Sequence, residues 1–161
     1  MHRGRCVGAK QEFTPEEIIT GEPARAARLK WVILVDEPAQ ADLMVNAVAC
    51  IAASTGAAVT GLIGPPGRDA SGHTVPGLPW AGCSVLAAAP AALAEIRAKA
   101  AASDGVLVVD MPRSAHTNRA YDDYLAELAQ TKPEDLAVSA TSIIGPRNTN
   151  SKLVKNLSLL R

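Results

Sequence analysis

The chain has 161 residues, long enough for one domain, and its 48% hydrophobic but only 3% aromatic content predicts a core of Ala, Val, Leu and Ile. Its formal net charge of zero excludes a global positive field that would gather nucleic acid or an anionic membrane at the surface. The three cysteines form no C-x-x-C pair, so we interpret them as free thiols of a cytoplasmic protein.

The first 13 residues are basic and lack hydrophobic periodicity. We therefore predict an N-terminal tail over residues 1–13 and a single α/β domain over residues 14–161. No apolar leader region follows the basic residues, and no stretch reaches the roughly 18 apolar residues of a membrane span. The domain begins with the capping-box pattern Thr14-Pro15-Glu16-Glu17, which predicts a short helix to about Thr20.

The best-defined unit is a strand followed by a helix, from Leu29 to Gly56. Trp31 to Val35 is a continuous apolar run, typical of a strand buried on both faces, and it stops at Asp36. Apolar residues then recur at helical spacing, and we expect Gly56 to end the helix. Ligands of open α/β sheets bind beyond the carboxyl ends of strands, so Asp36 lies where a site is expected.

The segment from Gly64 to about Gly82 is dense in glycine and proline, and it contains the turn tetrad Asp69-Ala70-Ser71-Gly72. Long stretches without regular structure are uncommon inside compact domains. Two interpretations stay open: a loop pinned by Trp80, or a lid or interface arm.

The remaining pattern again alternates strands and helices. We predict strands over 83–88, 105–110 and 136–144, helices over 91–102 and 114–130, and a terminal helix after Pro146. The runs 31–36 and 105–110 are both unbroken apolar segments that end in an acid, so both are predicted to be buried, parallel-type strands.

Motifs for common chemistries are missing from the sequence. The glycines between Gly61 and Gly67 lack the G-K-[ST] of a phosphate loop, and there is no G-x-S-x-G nucleophile elbow. The three histidines are far apart and have no cysteine at ligand spacing. We therefore expect neither a metal nor a cofactor.

Polar residues at the strand ends remain as the candidate site. Asp36 and Asp110 end two strands, Ser114 follows the second, and Gly145-Pro146-Arg147 opens the last helix, whose N-terminus can attract an anion or a carbonyl. The alternative is that Ser114 merely caps a helix and Asp110 merely ends a strand.

The segments LKWVILVDE, MVNAVACIAASTGA, VLVVDMP and IIGPRN carry a resemblance to the domain of unknown function 2000 family. That family is similar to type II peptidyl-tRNA hydrolases, and the likeness runs from about Thr14 to Arg161. The resemblance implies an α/β fold with three layers, α/β/α, around a mixed, mostly parallel four-stranded sheet. It also implies a homodimer.

The hydrolase pattern is only partly present. Where its first helix carries Lys, Gln and His, this chain has Met44, Val48 and Ile51. Its D-A-G-R-T segment is similar to residues 110–114, which keep the acid, the arginine and a hydroxyl. The resemblance therefore implies that peptidyl-tRNA hydrolysis is lost, because a lysine that could neutralise an oxyanion is missing.

Three hypotheses follow. The first is a protein that binds a small ligand, or catalyses an unassigned reaction, at a strand-end cleft. The second is retained hydrolysis of the peptidyl-tRNA ester with an arginine replacing the lysine, and the third is a structural or interaction module. For the first hypothesis the catalytic candidates are Asp110 and Ser114, and the ligand-binding candidates are Asp36, Asn46, Arg113, Gly145, Pro146 and Arg147. We expect no nucleic-acid or membrane partner.

Overall fold

The computed structural model describes residues 11–159. The strands are β1 (Leu29–Asp36), β2 (Gly67–Arg68), β3 (Thr74–Val75), β4 (Ser84–Ala88), β5 (Leu107–Pro112) and β6 (Val138–Pro146). The α-helices are α1 (Ala41–Ala58), α2 (Pro90–Ala101), α3 (Ser114–Thr117), α4 (Tyr121–Gln130) and α5 (Arg147–Leu153). Single 3-10 turns lie at Pro15–Glu17, Ala24–Ala26 and Pro133–Asp135. The expected α/β class is confirmed.

Four strands form one mixed sheet in the order β4-β1-β6-β5. β1 is parallel to β4 and antiparallel to β6, and β6 is antiparallel to β5. The predicted mixed four-stranded sheet is confirmed: β4, β1 and β5 run in the same direction and β6 alone runs opposite, so only one of the three pairings is parallel. A continuous apolar run shows that a strand is buried on both faces, but it carries no information about the direction of its neighbour.

The core lies on both faces of this sheet because side chains alternate along each strand. Trp31, Ile33 and Val35 point to the cluster that contains Ala47 and Ile51 of α1. Val32 and Leu34 point to the other cluster, which contains Leu93 and Ala100 of α2 and Val154, just after α5. Because both faces of β1 are covered, a polar side chain on either face would be buried. This explains the unbroken run of apolar residues.

β5 lies at one edge of the sheet, and its first four residues are only partly buried. The prediction that the 105–110 run is a fully buried strand is therefore wrong. Val109 packs in the α1 cluster and Val108 in the α2 cluster. Both faces of β5 therefore carry apolar residues, although one edge of the strand has no neighbouring strand. Burial of the faces, not of the edges, determines this sequence pattern.

Two helix boundaries differ from expectation. α1 continues two residues beyond Gly56, where an added Cβ would have no atom within 4 Å, so the glycine is not needed to end it. The predicted helix over 114–130 is two helices, α3 and α4, separated by residues 118–120. By length and composition alone, α1 could cross a membrane, contrary to the sequence expectation, and 17% of it is buried in the fold.

The predicted tail boundary at residue 13 also needs correction. Residues 1–10 lie outside the described part of the chain, but Phe13 is 2% exposed and belongs to the core cluster on the α1 side. The capping box at Thr14 is confirmed, although it opens a single 3-10 turn rather than a helix to Thr20. A lone aromatic residue has no periodicity, so the sequence pattern could not reveal its burial.

The glycine- and proline-rich segment contains the exposed hairpin of β2 and β3. Its turn is the expected tetrad: the Gly72 N–H donates to Asp69 O, and Asp69 Oδ1 accepts from the Ser71 and His73 N–H groups. The base is pinned where the indole N–H of Trp80 donates to Gly61 O at 2.8 Å. We call residues 64–82 the arm.

Candidate functional site

Asp36 ends β1 and is almost completely buried, with its side chain 5% exposed. Arg113 donates from Nη2 to Asp36 Oδ2 in an ion pair that crosses over β6. A register shift between Met111 and Pro112 redirects the end of β5, and the Arg113 N–H then donates to Ala137 O at 3.0 Å. The local irregularity of β5 thus holds Arg113 where its guanidinium can reach Asp36.

Asp110 lies inside β5 and is held by two partners. Arg97 of α2 donates from Nε at 2.8 Å and approaches with Nη2 at 2.7 Å, both to Asp110 Oδ2. Thr141 donates its hydroxyl to Asp110 Oδ1 at 2.8 Å from the neighbouring strand β6. Both carboxylate oxygens are therefore satisfied, and the acid is fixed against the α2 face.

The two acids lie on the same face of the sheet. Asp110, Thr141 and Leu34 form one cross-strand row, and Asp36 follows Leu34 by two residues on β1. With strand spacings of about 4.8 Å and a rise of about 3.4 Å per residue, their Cα atoms are roughly 12 Å apart. The two strands are not neighbours, since β6 lies between them, and each acid is paired with its own arginine.

Arg97 and Arg113 line the same cavity, of about 420 Å3, between α2 and the chain that enters β6. Its lining includes the apolar Pro90 and Leu93 and the acids Glu134 and Asp135. We call this cavity the strand-end cleft. It presents guanidinium donors and carboxylate acceptors on an apolar background, the usual composition of a small-molecule site.

One oxygen of the ion pair between Asp36 and Arg113 lacks a hydrogen-bond partner among the described residues. Asp36 Oδ1 is buried and has no hydrogen-bond partner within residues 11–159. An unpaired buried carboxylate oxygen is costly, and Arg113 uses only Nη2 on Asp36 while its side chain is 55% exposed. The pair is therefore held by a single contact and leaves guanidinium N–H groups available to a ligand.

Three predicted site residues lie at the wrong end of the sheet. Gly145 and Pro146 pair with Lys30 and Leu29, at the amino end of β1, because β6 is antiparallel to β1. Arg147 donates from Nε to Ala27 O at 2.7 Å, so it fastens the segment before β1. The predicted convergence of Gly145, Pro146 and Arg147 with Asp36 is therefore wrong.

Two other predicted site residues, Asn46 and Ser114, do not take part in either ion pair. Asn46 is exposed on the outer side of α1, where the Cys50 thiol approaches its Oδ1 at 4.0 Å. Ser114 begins α3, and its carbonyl oxygen accepts from the Asn118 N–H and from the Thr117 hydroxyl. No side-chain cap is made at the start of α3, so Ser114 is not a cap either.

Three residues of α1, Met44, Val48 and Ile51, face the core. Ile51 is 2% exposed, and Met44 and Val48 pack against the same cluster. A charged side chain at any of the three would lie against apolar neighbours at a large cost. The side of α1 that faces the sheet therefore presents no general acid or base.

A second cavity, of about 370 Å3, lies between α1 and α4 and is lined by Cys50, Ser54, Asp110, Tyr121 and Tyr124. Burial, followed by the neighbouring Tyr121 and Asp110, raises the pKa of Tyr124. Tyr124 is therefore a neutral phenol at pH 7. No hydrogen bond joins Cys50 or Ser54 to a base among the described residues, so this cavity lacks an activated nucleophile.

The sequence analysis missed Arg97, Thr141, Glu134 and Asp135. Arg97 is one of several polar residues on a helix rich in alanine, and its spacing does not single it out. Thr141 gave a usable signal, because a hydroxyl inside a fully buried strand must find a partner. Within residues 11–159 no group of three His, Cys, Asp or Glu side chains is placed to hold a metal ion.

Comparison with known proteins adds the family. A model of the family described as protein of unknown function (DUF2000) matches residues 29–161. The solved structure of a protein of unknown function from Agrobacterium tumefaciens is similar, with a TM-score of 0.71 and 18% sequence identity. The similarity covers 83% of this chain and 98% of that chain, and at this identity it concerns the fold alone. No curated protein matches.

Proposed function

This chain belongs to the DUF2000 family, and we propose that it binds a small polar ligand in the strand-end cleft. One observation carries the proposal: two acids of the sheet, Asp36 and Asp110, are each paired with an arginine, and both arginines line a single cavity of about 420 Å3. Cavities of this size on rigid elements are typical of small-molecule sites.

The charge balance of the cleft restricts the classes of ligand that it can bind. Each guanidinium is already offset by an aspartate, so the site has no surplus positive charge for a multiply charged anion. The remaining guanidinium N–H groups fit a carboxylate, and Glu134 and Asp135 provide acceptors for a donor on the ligand. The ligand class is therefore a small carboxylate that also carries an amino or hydroxyl group.

The proposal excludes efficient hydrolysis of peptidyl-tRNA. The fold is proposed to be the three-layer arrangement of type II peptidyl-tRNA hydrolases, a view supported by the two core clusters on opposite faces of the sheet. The absence of a charged residue at Met44, Val48 and Ile51 supports loss of the hydrolase chemistry. A turnover assay beside an active type II hydrolase tests this, and comparable rates would refute it.

Location and assembly are part of the same proposal. The described cysteines Cys50 and Cys83 are free and exposed, which suits a reducing cytoplasm. The outer side of α1 exposes Val45 at 69% and Leu43 at 39%, which supports a homodimer that covers this helix. Sedimentation of the purified chain measures the assembly.

Titration calorimetry with a panel of amino, hydroxy and unsubstituted carboxylates tests ligand binding. Arg113→Lys keeps the charge opposite Asp36 but loses the planar fork, so we expect about tenfold weaker binding. Arg119→Lys, an exposed arginine outside the cleft, is the matched control and should bind as the wild type does. Equal affinities in the two variants would place the ligand elsewhere.

A further inference from the structure

A third cavity, of about 400 Å3, lies between α2 and α5, away from the strand-end cleft. Two facing rows of side chains build it: Glu95 and Lys99 from α2, and Thr149, Lys152 and Lys155 from α5 and the turn after it. Residues three or four apart lie on the same face of a helix, so Glu95 and Lys99 share one face of α2, Thr149 and Lys152 share one face of α5, and both faces line the cavity. We call this cavity the lysine groove.

The lysine groove concentrates positive charge in a chain whose formal net charge is zero. Lys99 pairs with Glu95 at 2.5 Å. Lys152 and Lys155 have no acidic partner within 4 Å in the part of the chain that the structure describes. The groove therefore keeps two uncompensated ammonium groups, whereas the strand-end cleft has arginines that are already neutralised.

The floor of the groove is apolar and its walls are anchored. Ile96, Leu153 and Leu157 are partly buried against the α2 core cluster. Asn150 holds α5 in place, because its amide donates to Lys30 O at 2.8 Å while the residue is completely buried. The lysine stems are thus attached to a fixed backbone on either side of an apolar surface.

We infer that the lysine groove binds a small molecule that carries a phosphate monoester beside an apolar or planar body. A phosphate monoester has a charge near −2 and three acceptor oxygens, which match the two free ammonium groups and the Thr149 hydroxyl. The body of the molecule would rest on Ile96 and Leu157. An RNA strand would need a longer basic track than this neutral chain offers.

Titration calorimetry on the whole chain, with AMP, glycerol 3-phosphate, adenosine and a short RNA oligonucleotide, tests the inference. We expect AMP to bind, adenosine to fail, and the double variant Lys152→Ala/Lys155→Ala to weaken AMP binding about tenfold, since it removes both uncompensated ammonium groups. Lys132→Ala removes an exposed lysine outside the groove and should leave the affinity unchanged.

Three results would overturn the inference. They are the absence of binding by both phosphate esters at about 1 mM, unchanged AMP affinity in the double variant, and an RNA affinity that exceeds that of AMP by more than about tenfold. The melting temperature of each variant confirms that it is folded. Arg113→Lys should leave AMP binding unchanged, so failure of the strand-end proposal is measured separately.

Discussion

Phe13 packs edge-on against Trp80, with ring centroids 4.9 Å apart and an angle of 62° between the ring planes. The Phe13 N–H donates to Thr60 O at 2.9 Å, and the Trp80 indole donates to Gly61 O, so both rings are attached to the same turn. Such pairs contribute about 0.5–1.5 kcal/mol beyond their burial. The start of the described chain and the base of the arm are therefore held together.

Replacing Phe13 by Ala should lower the free energy of unfolding by about 3 kcal/mol, because it empties a buried position and removes the ring contact. Urea titration measures this. Ile19→Ala, at a residue 49% exposed, is the control and should change stability by less than about 0.5 kcal/mol. A Phe13 variant as stable as the control would mean that the ring is dispensable, as expected of a tail.

Removing Arg113 should lower the free energy of unfolding, because the carboxylate of Asp36 is buried. Arg113→Ala leaves that carboxylate without its cation, and we expect a loss of about 2 kcal/mol. The double variant Asp36→Asn/Arg113→Ala should recover part of it, since no unpaired charge is then buried. Chemical denaturation of the cycle gives the coupling, and strictly additive losses would show that the pair does not interact.

Ser142 lies in the middle of a buried chain of hydrogen bonds. The Trp31 indole N–H donates to Ser142 Oγ at 2.8 Å, and the Thr55 hydroxyl donates to Ile51 O, so the Ser142 hydroxyl must donate to Thr55. Ser142→Ala should therefore cost about 1–3 kcal/mol, because it leaves the indole N–H unpaired. Thermal unfolding checks this, and an unchanged melting temperature would contradict it.

Gly77 is required for closure of the arm. A Cβ built there would lie 1.9 Å from Gly64 O, a backbone atom that cannot move aside. Gly77→Ala should open the arm, which limited proteolysis would detect as faster cleavage within residues 64–82. Gly67→Ala is the matched control, since nothing lies within 4 Å of its added Cβ, and equal cleavage of the two variants would count against this packing.

The lowered pKa of Glu17 makes the stability of the folded protein depend on pH. Its bond to Arg28, then the Thr14 N–H, lowers the pKa of Glu17 from 4.5 to about 2. A lowered folded-state pKa gives stability that is present above pH 4.5 and is lost as the pH falls toward 2. The melting-temperature difference between wild type and Glu17→Gln should follow this course, and a constant difference from pH 6 to about pH 2 would exclude it.

Some elements of the fold could be predicted because a local sequence signal determines each of them. The apolar run at Trp31–Val35 and the helical period after it predicted β1 and α1, and the Asp69 tetrad predicted its turn. The direction of β6 could not be predicted in this way, since its apolar run fits either direction equally well. That error displaced Arg147 to the wrong end of the sheet.

The candidate site was only half predicted for a similar reason. Asp36 ends β1 and Arg113 directly follows β5, and the position of a strand end can be read locally, whereas Asp110 lies inside β5 and not at its end. Arg97 reaches Asp110 only because α2 folds back over the sheet, a contact that no spacing along the chain encodes. Long-range partners of this kind need the topology first.

The position of β6 has a consequence for synthesis. It is the last of the four sheet strands along the chain, yet it lies between β1 and β5 and is hydrogen-bonded to both. While the ribosome is still making residues 138–146, each of those two strands exposes an unpaired edge, which is a template for aggregation. The nascent chain therefore depends on rapid insertion of one late strand, and substitutions that slow this step should reduce soluble yield before they change the finished protein.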